Sequence, residues 1–360
     1  MNVLFLSRRF YPEIGGVEKH TLEIGKRLVE KGHSVTVIAE KPQITHSLDK
    51  HSSSSSAKDT GSVAGIDYVK IDAGKDNWFK KFRIWKELWR HRELIKNSDI
   101  VHCHDVFFWY LPFRFIFPTK KVFTTFHGYE GNKIPGKKAI FMHKMAERLS
   151  RGNICVGDYL KKWYGTKPNI VTYGAVNIPK TPHKKNENRT FSNVLYIGRL
   201  EEEAGILVYL EALNNLKQTN IKLHLTVLGD GTQRNIAESY ASKHKLNVTF
   251  EGFVKDVYEY LPSTDFVFTS RYLGTLEAFV FKKMVFAVYN NEIKKDCYIL
   301  SPFKDFVVLE KNSDILAEKV KEYIKNQKLT KKTTEEAFDW VKEQTWGKMV
   351  DDYLTLWRFK

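Results

Sequence analysis

Short apolar runs alternate with longer amphipathic stretches along almost the whole chain. The apolar runs fall at 3–6, 34–39, 66–71, 100–104, 122–126 and 154–156, and again at 194–197, 223–228, 248–250, 265–269, 285–288 and 306–309. They are rich in Val, Ile and Phe, and most are continuous rather than alternating. That predicts parallel strands buried on both faces. Between the runs the period changes to that of helices. Val17, Thr21, Ile24 and Leu28 share one face, and Gly32 stands as a helix stop before "HSVTVIA". Ile206, Leu210 and Leu213 repeat the pattern after the 194–197 run. Strand–helix–strand repeated through both halves predicts an α/β fold of two doubly wound, Rossmann-like domains.

Two stretches break the rhythm. "IPKTPHKKNENRTF" (178–191) is rich in Pro, Lys and Asn without periodicity. It predicts a linker at 179–190 between a first domain, 1–178, and a second that starts at 191. "THSLDKHSSSSSAKDTGS" (45–62) is expected as a surface loop inside the first domain.

The chain has 360 residues, enough for a full core in each of two domains. Its formal charge of +16 predicts attraction to an anionic partner: phosphorylated substrate, membrane surface or nucleic acid. No helix-turn-helix, RNA-recognition or zinc-finger signature accompanies the charge, so no nucleic-acid partner is expected. Cys103, Cys155 and Cys297 lack metal-site spacing and are expected as reduced core thiols. The first residues lack the ordered regions of a signal peptide, and "VFFWYLPFRFIFP" is too short to span a bilayer. A cytoplasmic protein is expected.

In open α/β sheets ligands bind at the carboxyl ends of the strands. Gly15 and Gly16 follow the first strand there, and His127 and Gly128 follow "VFTTF". Gly198 and Arg199 follow "VLYI"; Gly229, Asp230 and Gly231 follow "LTVL"; Gly274, Thr275 and Glu277 follow "FVFTS". Glycines before a helix let backbone N–H groups approach an anion, and the helix N-terminus adds about half a positive charge. Arg199 suits a phosphate and Glu277 a pair of sugar hydroxyls. Together they point to a nucleoside diphosphate. Each group also has a bland reading: a packing turn for Gly15–Gly16 and Gly229–Gly231, and a dipole role for Glu277 at the start of a helix.

These segments, in order, resemble the retaining glycosyltransferases of family 4, which have the GT-B fold. The resemblance rests on "FYPEIGGVEKHTLEIGKRLVEKGHSVTVIA", "TTFHG", "LYIGRLEEEAGI", "LTVLGDGTQR", "VTFEGFV" and "LGTLEAFVFKKMVFAV". "TWGKMVDDYLTLW" resembles the closing helix, which implies that 191–335 forms the second domain and 336–360 returns to the first. The resemblance implies two domains facing each other across a cleft and a nucleotide-sugar donor, UDP- or GDP-linked. It implies a glycan or lipid-linked acceptor, no cofactor and no catalytic metal. It gives His127, Arg199 and Glu277 catalytic roles, at the sugar, the departing diphosphate and the ribose. Gly15, Gly16, Gly198, Gly229, Phe253, Leu273, Gly274 and Thr275 are implied as donor-binding. The chain departs from the family at two positions. Ala204 stands where a Lys is usual, and Thr269 stands eight residues before Glu277, where a first Glu is usual; Arg271 is a nearby positive charge. A degenerate relative that binds the donor without efficient turnover is the alternative.

Two further features stand out. "VHCHD" puts His102 and His104 on one strand face beside Asp105, where a metal is conceivable, and His20 is expected on a helix surface. In "NWFKKFRIWKELWRHRELIK" (77–96), Trp78, Phe82, Trp85 and Trp89 share a helical face, with seven Lys or Arg against two Glu from 80 to 96. This is the pattern of a helix held at an anionic membrane surface, on the inner face, or of an ordinary packed helix.

Overall fold

The computed structural model describes residues 1–13, 15–41, 59–129, 134–179 and 192–358. The chain divides into two compact units, Met1–Glu130 with Pro135–Thr172 and Trp346–Lys360, and Gly131–Ile134 with Tyr173–Thr345.

The first unit runs β1 (Asn2–Ser7), α1 (Gly16–Glu30), β2 (Ser34–Glu40), β3 (Thr60–Val63), β4 (Ile66–Ile71), α2 (Lys80–Arg90), α3 (Arg92–Asn97), β5 (Ile100–His104), α4 (Phe107–Ile116), β6 (Lys121–Phe126), α5 (Lys137–Leu149), β7 (Gly152–Val156), α6 (Tyr159–Tyr164) and β8 (Ile170–Thr172). Its eight-stranded sheet has the order β3-β4-β2-β1-β5-β6-β7-β8. Only β3 runs antiparallel, paired to β4 through a tight turn at Ala64 and Gly65, both at positive φ. That strand takes Thr60–Ser62 from the end of the expected loop; 45–58 lies outside the described residues.

The second unit runs β9 (Asn193–Ile197), α7 (Ile206–Gln218), β10 (His224–Leu228), α8 (Arg234–Lys243), β11 (Val248–Gly252), β12 (Phe266–Phe268), α9 (Tyr272–Val280), β13 (Met284–Val288), α10 (Glu292–Ile299), β14 (Val307–Glu310), α11 (Ser313–Lys325) and α12 (Gln327–Val341). Its parallel sheet has the order β11-β10-β9-β12-β13-β14. α13 (Trp346–Trp357) then belongs to the first unit, where it packs on α1. Both units are Rossmann-like, each an α/β unit built on a mostly parallel sheet.

The boundaries differ from 178 and 336. Tyr173 packs its ring against Tyr272, Phe303 and Trp340, and Val176 joins the second core. Ala337 and Val341 of α12 are buried in that same core, so the chain leaves the second unit only after Thr345. The expected linker lies almost wholly outside the described residues.

Each sheet reverses direction at its centre. From β1 the order runs outward through β2, then resumes at β5 on the other side; from β9 it runs through β10, then resumes at β12. The two switch points therefore lie between β1 and β5 and between β9 and β12. Loops diverging there leave a crevice beyond the strand ends.

Candidate functional site

At the first switch point the chain passes from β1 to α1 through Gly15 and Gly16. Gly15 is extended (φ 178°), and a Cβ on Gly16 would meet nothing within 4 Å. No left-handed backbone and no neighbouring side chain demands the second glycine. The packing reading of this pair therefore has no support at Gly16, and bare backbone is left facing open space.

Beside it, the ends of β5 and β6 bring histidines together. Asp105 sits in the left-handed region at φ 60° and accepts the His127 backbone N–H on Oδ1 at 2.8 Å. His104 Nδ1 and His127 Nε2 are 2.9 Å apart, while His104 Nε2 is buried without a partner. A bare lone pair there avoids an orphaned N–H, which assigns the proton to His104 Nδ1. His127 Nε2 then accepts, and its Nδ1 carries the N–H.

A second chain of hydrogen bonds ties this region to α13. Trp357 Nε1 donates to His102 Nδ1 at 3.0 Å, and His102 Nε2 lies 2.7 Å from Thr125 Oγ1. Thr125 Oγ1 lies 2.7 Å from the Tyr353 hydroxyl, which lies 2.8 Å from His20 Nε2. An indole can only donate. Satisfying every hydroxyl proton then leaves one direction: His102 donates to Thr125, Thr125 to Tyr353, and Tyr353 to His20. His20 is thus buried, 4 % exposed, and is not the surface residue its helix position suggested. The cause is α13, which packs on α1 and sets the rings of Trp346 and Tyr353 against His20.

Burial pushes His20 down to about 3. Burial first, and neighbouring rings second, hold His102, His104 and His127 well below the ordinary histidine range. All four are neutral at pH 7. His20, His104 and His127 offer ring nitrogens within 4.8 Å of one another. Tetrahedral zinc ligands stand roughly 3.3 Å apart at ordinary bond lengths. His102 has both nitrogens committed within the protein.

At the second switch point, Thr269 Oγ1 donates to Ile197 O at 2.7 Å, tying the end of β12 to the end of β9. The position of the family's first Glu is thus a fully buried hydroxyl. Gly198 and half-buried Arg199 follow β9, and Ala204 is buried in a 3-10 turn, Glu202–Ala204. Arg271 is the N-cap residue of α9, where no side chain caps the helix. Its guanidinium donates to Glu203 Oε1 at 3.0 Å. The loops after β9 and β12 therefore meet around the N-terminus of α9.

That N-terminus offers fewer donors than expected. The Thr275 N–H bonds Arg271 O at 3.0 Å and its hydroxyl also bonds Arg271 O, so Thr275 is committed inside the fold. Half-buried Leu273 and buried Gly274, in the first turn, have no intrahelical acceptor for their N–H groups. Gly274 must be glycine, because a Cβ would stand 2.7 Å from Thr269 Oγ1. Glu277 is the sixth residue of α9, not its opening, and is 3 % exposed. Its place in the second turn removes the dipole reading.

Gly229 has a structural reason. At φ 150°, a Cβ there would lie 1.8 Å from Gly198 O, because the loops after β9 and β10 run backbone to backbone. Phe253, just beyond β11, is 55 % exposed. Sequence reasoning missed Lys294. It is 4 % exposed on α10, and its ammonium donates to the Glu203 carbonyl.

A family model for glycosyl transferases group 1 matches residues 177–340, and one for glycosyltransferase family 4 matches residues 14–170. A glycogen synthase of Mycobacterium tuberculosis is 24% identical over 274 residues, covering 68% of this chain and 66% of its own length. The chain thus spans just under two thirds of that relative. A glycosyltransferase from Rickettsia africae superposes with a TM-score of 0.72 at 19% identity, covering 99% of this chain and 97% of that one. Anabaena HepE, solved with UDP and glucose, gives 0.71 at 14% identity, covering 98% and 99%. With one model on each half, the chain belongs to the group 1, family 4 glycosyltransferases.

Proposed function

We propose that the protein transfers a sugar from a nucleoside diphosphate donor to a glycan or lipid-linked acceptor, with retention at the anomeric carbon and without a catalytic metal. The observation that carries the donor half is the uncapped N-terminus of α9, with Arg271 at its N-cap and Arg199 in the loop after β9 at the same switch point. Positive charge and free N–H groups converge there, as a departing diphosphate requires. HepE was solved with UDP at the same fold.

In this reading Arg199 and the first turn of α9 hold the diphosphate, and Glu277 takes the ribose. The bond from the anomeric carbon to the phosphate oxygen breaks as the bond to the acceptor oxygen forms on the same face. The acceptor proton passes to the leaving phosphate. Neutral His127 offers its Nδ1–H to the transferred sugar. Rate comes from positioning and charge stabilisation. The test is release of nucleoside diphosphate that depends on donor and acceptor. Failure with UDP-, GDP- and ADP-sugars across glycan and lipid-linked acceptors would contradict it.

The acceptor class is supported by the surface of the first unit. Trp78, Phe79 and Trp89 are 67 %, 60 % and 48 % exposed around α2, and Phe115 on α4 is 71 % exposed. The Lys81 ammonium lies 4.9 Å from the Trp78 ring centre, and the Arg92 guanidinium 5.3 Å from that of Trp89. Bulky aromatics interleaved with cations suit an anionic membrane surface. Peripheral attachment at the inner face follows. Among the described residues, no helix is long and apolar enough to cross a membrane.

The second reading, donor binding without efficient turnover, rests on Ala204 and Thr269. Both are buried and neither carries charge. Tight nucleotide binding with no transfer would favour it.

A further inference from the structure

The turn after β9 lacks a lysine at 204, yet a lysine reaches it from elsewhere in the fold. Lys294 lies in the first turn of α10, where its N–H bonds the Asn291 side chain at 2.9 Å. Its ammonium donates to the carbonyl of Glu203, the residue before Ala204. The Glu203 carboxylate is engaged by Arg271 at 3.0 Å. Two cations, one at the N-cap of α9 and one in the first turn of α10, thus converge on one turn at the carboxyl edge of the sheet, next to the N-terminus of α9.

This arrangement is costly in isolation. Lys294 is 96 % removed from solvent, and the hydrogen-bond acceptor of its ammonium is a neutral carbonyl. Burial first, then Arg271 at the N-cap of α9, push it down to about 7, while Glu203 on the turn and Cys297 on α10 pull the other way. A buried ammonium beside a second cation is a position that a bound anion would complete.

We propose that Lys294, together with Arg271, binds the diphosphate of the donor, and that it supplies at the 203–204 turn the positive charge that Ala204 does not. The inference rests on the donor reading above. The flexible four-carbon stem lets the ammonium exchange the Glu203 carbonyl for a phosphate oxygen. Binding the anion favours the charged form, so Lys294 takes up a proton when donor binds above pH 7. Apparent affinity is then highest near pH 7 and falls as the pH rises, by up to about tenfold per pH unit.

The test is titration calorimetry of UDP, GDP and ADP from pH 7 to 8.5, in buffers of different ionisation enthalpy. Wild type is expected to take up close to one proton above pH 7.5. Lys294→Met should bind the diphosphate at least roughly tenfold more weakly, with no proton uptake, and the matching monophosphate almost unchanged. Lys294→Arg should keep the affinity and lose the pH dependence, because the guanidinium stays charged. Wild-type binding without proton uptake, or Lys294→Met binding like wild type, overturns the role of Lys294 and leaves the donor reading standing. No diphosphate binding to wild type overturns both. The proton count is read on the unaltered protein, so it does not depend on a variant folding.

Discussion

Glycines at the switch points divide by what requires them. Gly229 is required by the fold, since its Cβ would collide with the Gly198 carbonyl at 1.8 Å. Gly229→Ala should therefore lose several kcal/mol of stability, read as a lower midpoint in urea. Gly16 opens α1 into empty space, so Gly16→Ala should unfold no earlier than wild type, gaining up to about 1 kcal/mol. If Gly16 faces the ligand, the same variant should lose most transfer activity. Full activity would return Gly16 to a merely local role. Lys294 adds a stability test of its own. Its folded value of about 7 lies below the ordinary 10.5, so the unfolded chain binds more protons between those values. Its cost is full below pH 7 and gone above 10.5. Lys294→Met should then melt a few degrees higher at pH 7, roughly 2–4 °C per kcal/mol recovered.

At the scale of elements, α13 orients the histidines of β5, β6 and α1. Tyr353→Phe removes the hydroxyl between Thr125 and His20 and leaves the ring packing. Nitrogen NMR should then show His20 no longer held as the Nδ1–H tautomer, while His104 and His127 stay unchanged. An unaltered His20 signal would contradict the hydrogen-bond direction derived above. Around α2, Ile84 and Leu88 face the core while Trp78, Phe79 and Trp89 stay outside. The triple variant Trp78→Ser, Phe79→Ser, Trp89→Ser should keep its stability. It should lose most binding to phosphatidylglycerol vesicles, measured by co-sedimentation. Equal binding by the variant would remove the membrane from the account.

The elements also show what a sequence can reveal. Strands buried on both faces announce themselves as apolar runs, and those at the centre of both sheets were legible. β3 and β8 were not, because they are edge strands of four and three residues, one of them the polar "TGSV". The expected single helix of 77–96 breaks at His91 into α2 and α3. "VFFWYLPFRFIF" proved to be both core and surface: α4 buries Trp109 and Tyr110 and exposes Phe115 and Ile116. The switch-point positions of His127, Arg199 and Gly274 were legible because those loops follow recognisable strands. His20 and Lys294 were not. Each is defined by an element far away in sequence, α13 for one and the 203–204 turn for the other.

For the whole molecule, acid is the most informative perturbation. His20, His102, His104 and His127 take protons near 6.5 when unfolded and only at far lower pH when folded. The unfolded state binds more protons below about 6.5, so stability is full above that value and falls as the pH drops, by up to about 1.4 kcal/mol per pH unit for each histidine. The melting temperature should drop steeply from pH 7 to 5. A flat profile would mean that these rings are hydrated. The charge of +16 acts at the same scale, favouring the approach of anionic partners in general.

The central claim is that the carboxyl edge of the second sheet binds a nucleoside diphosphate. The direct test is thermal stabilisation by UDP, GDP and ADP of the wild-type protein and of Arg199→Ala. One nucleotide should raise the melting temperature of wild type, and the shift should vanish in the variant. No shift with any of the three, or a shift that survives in Arg199→Ala, would contradict the site.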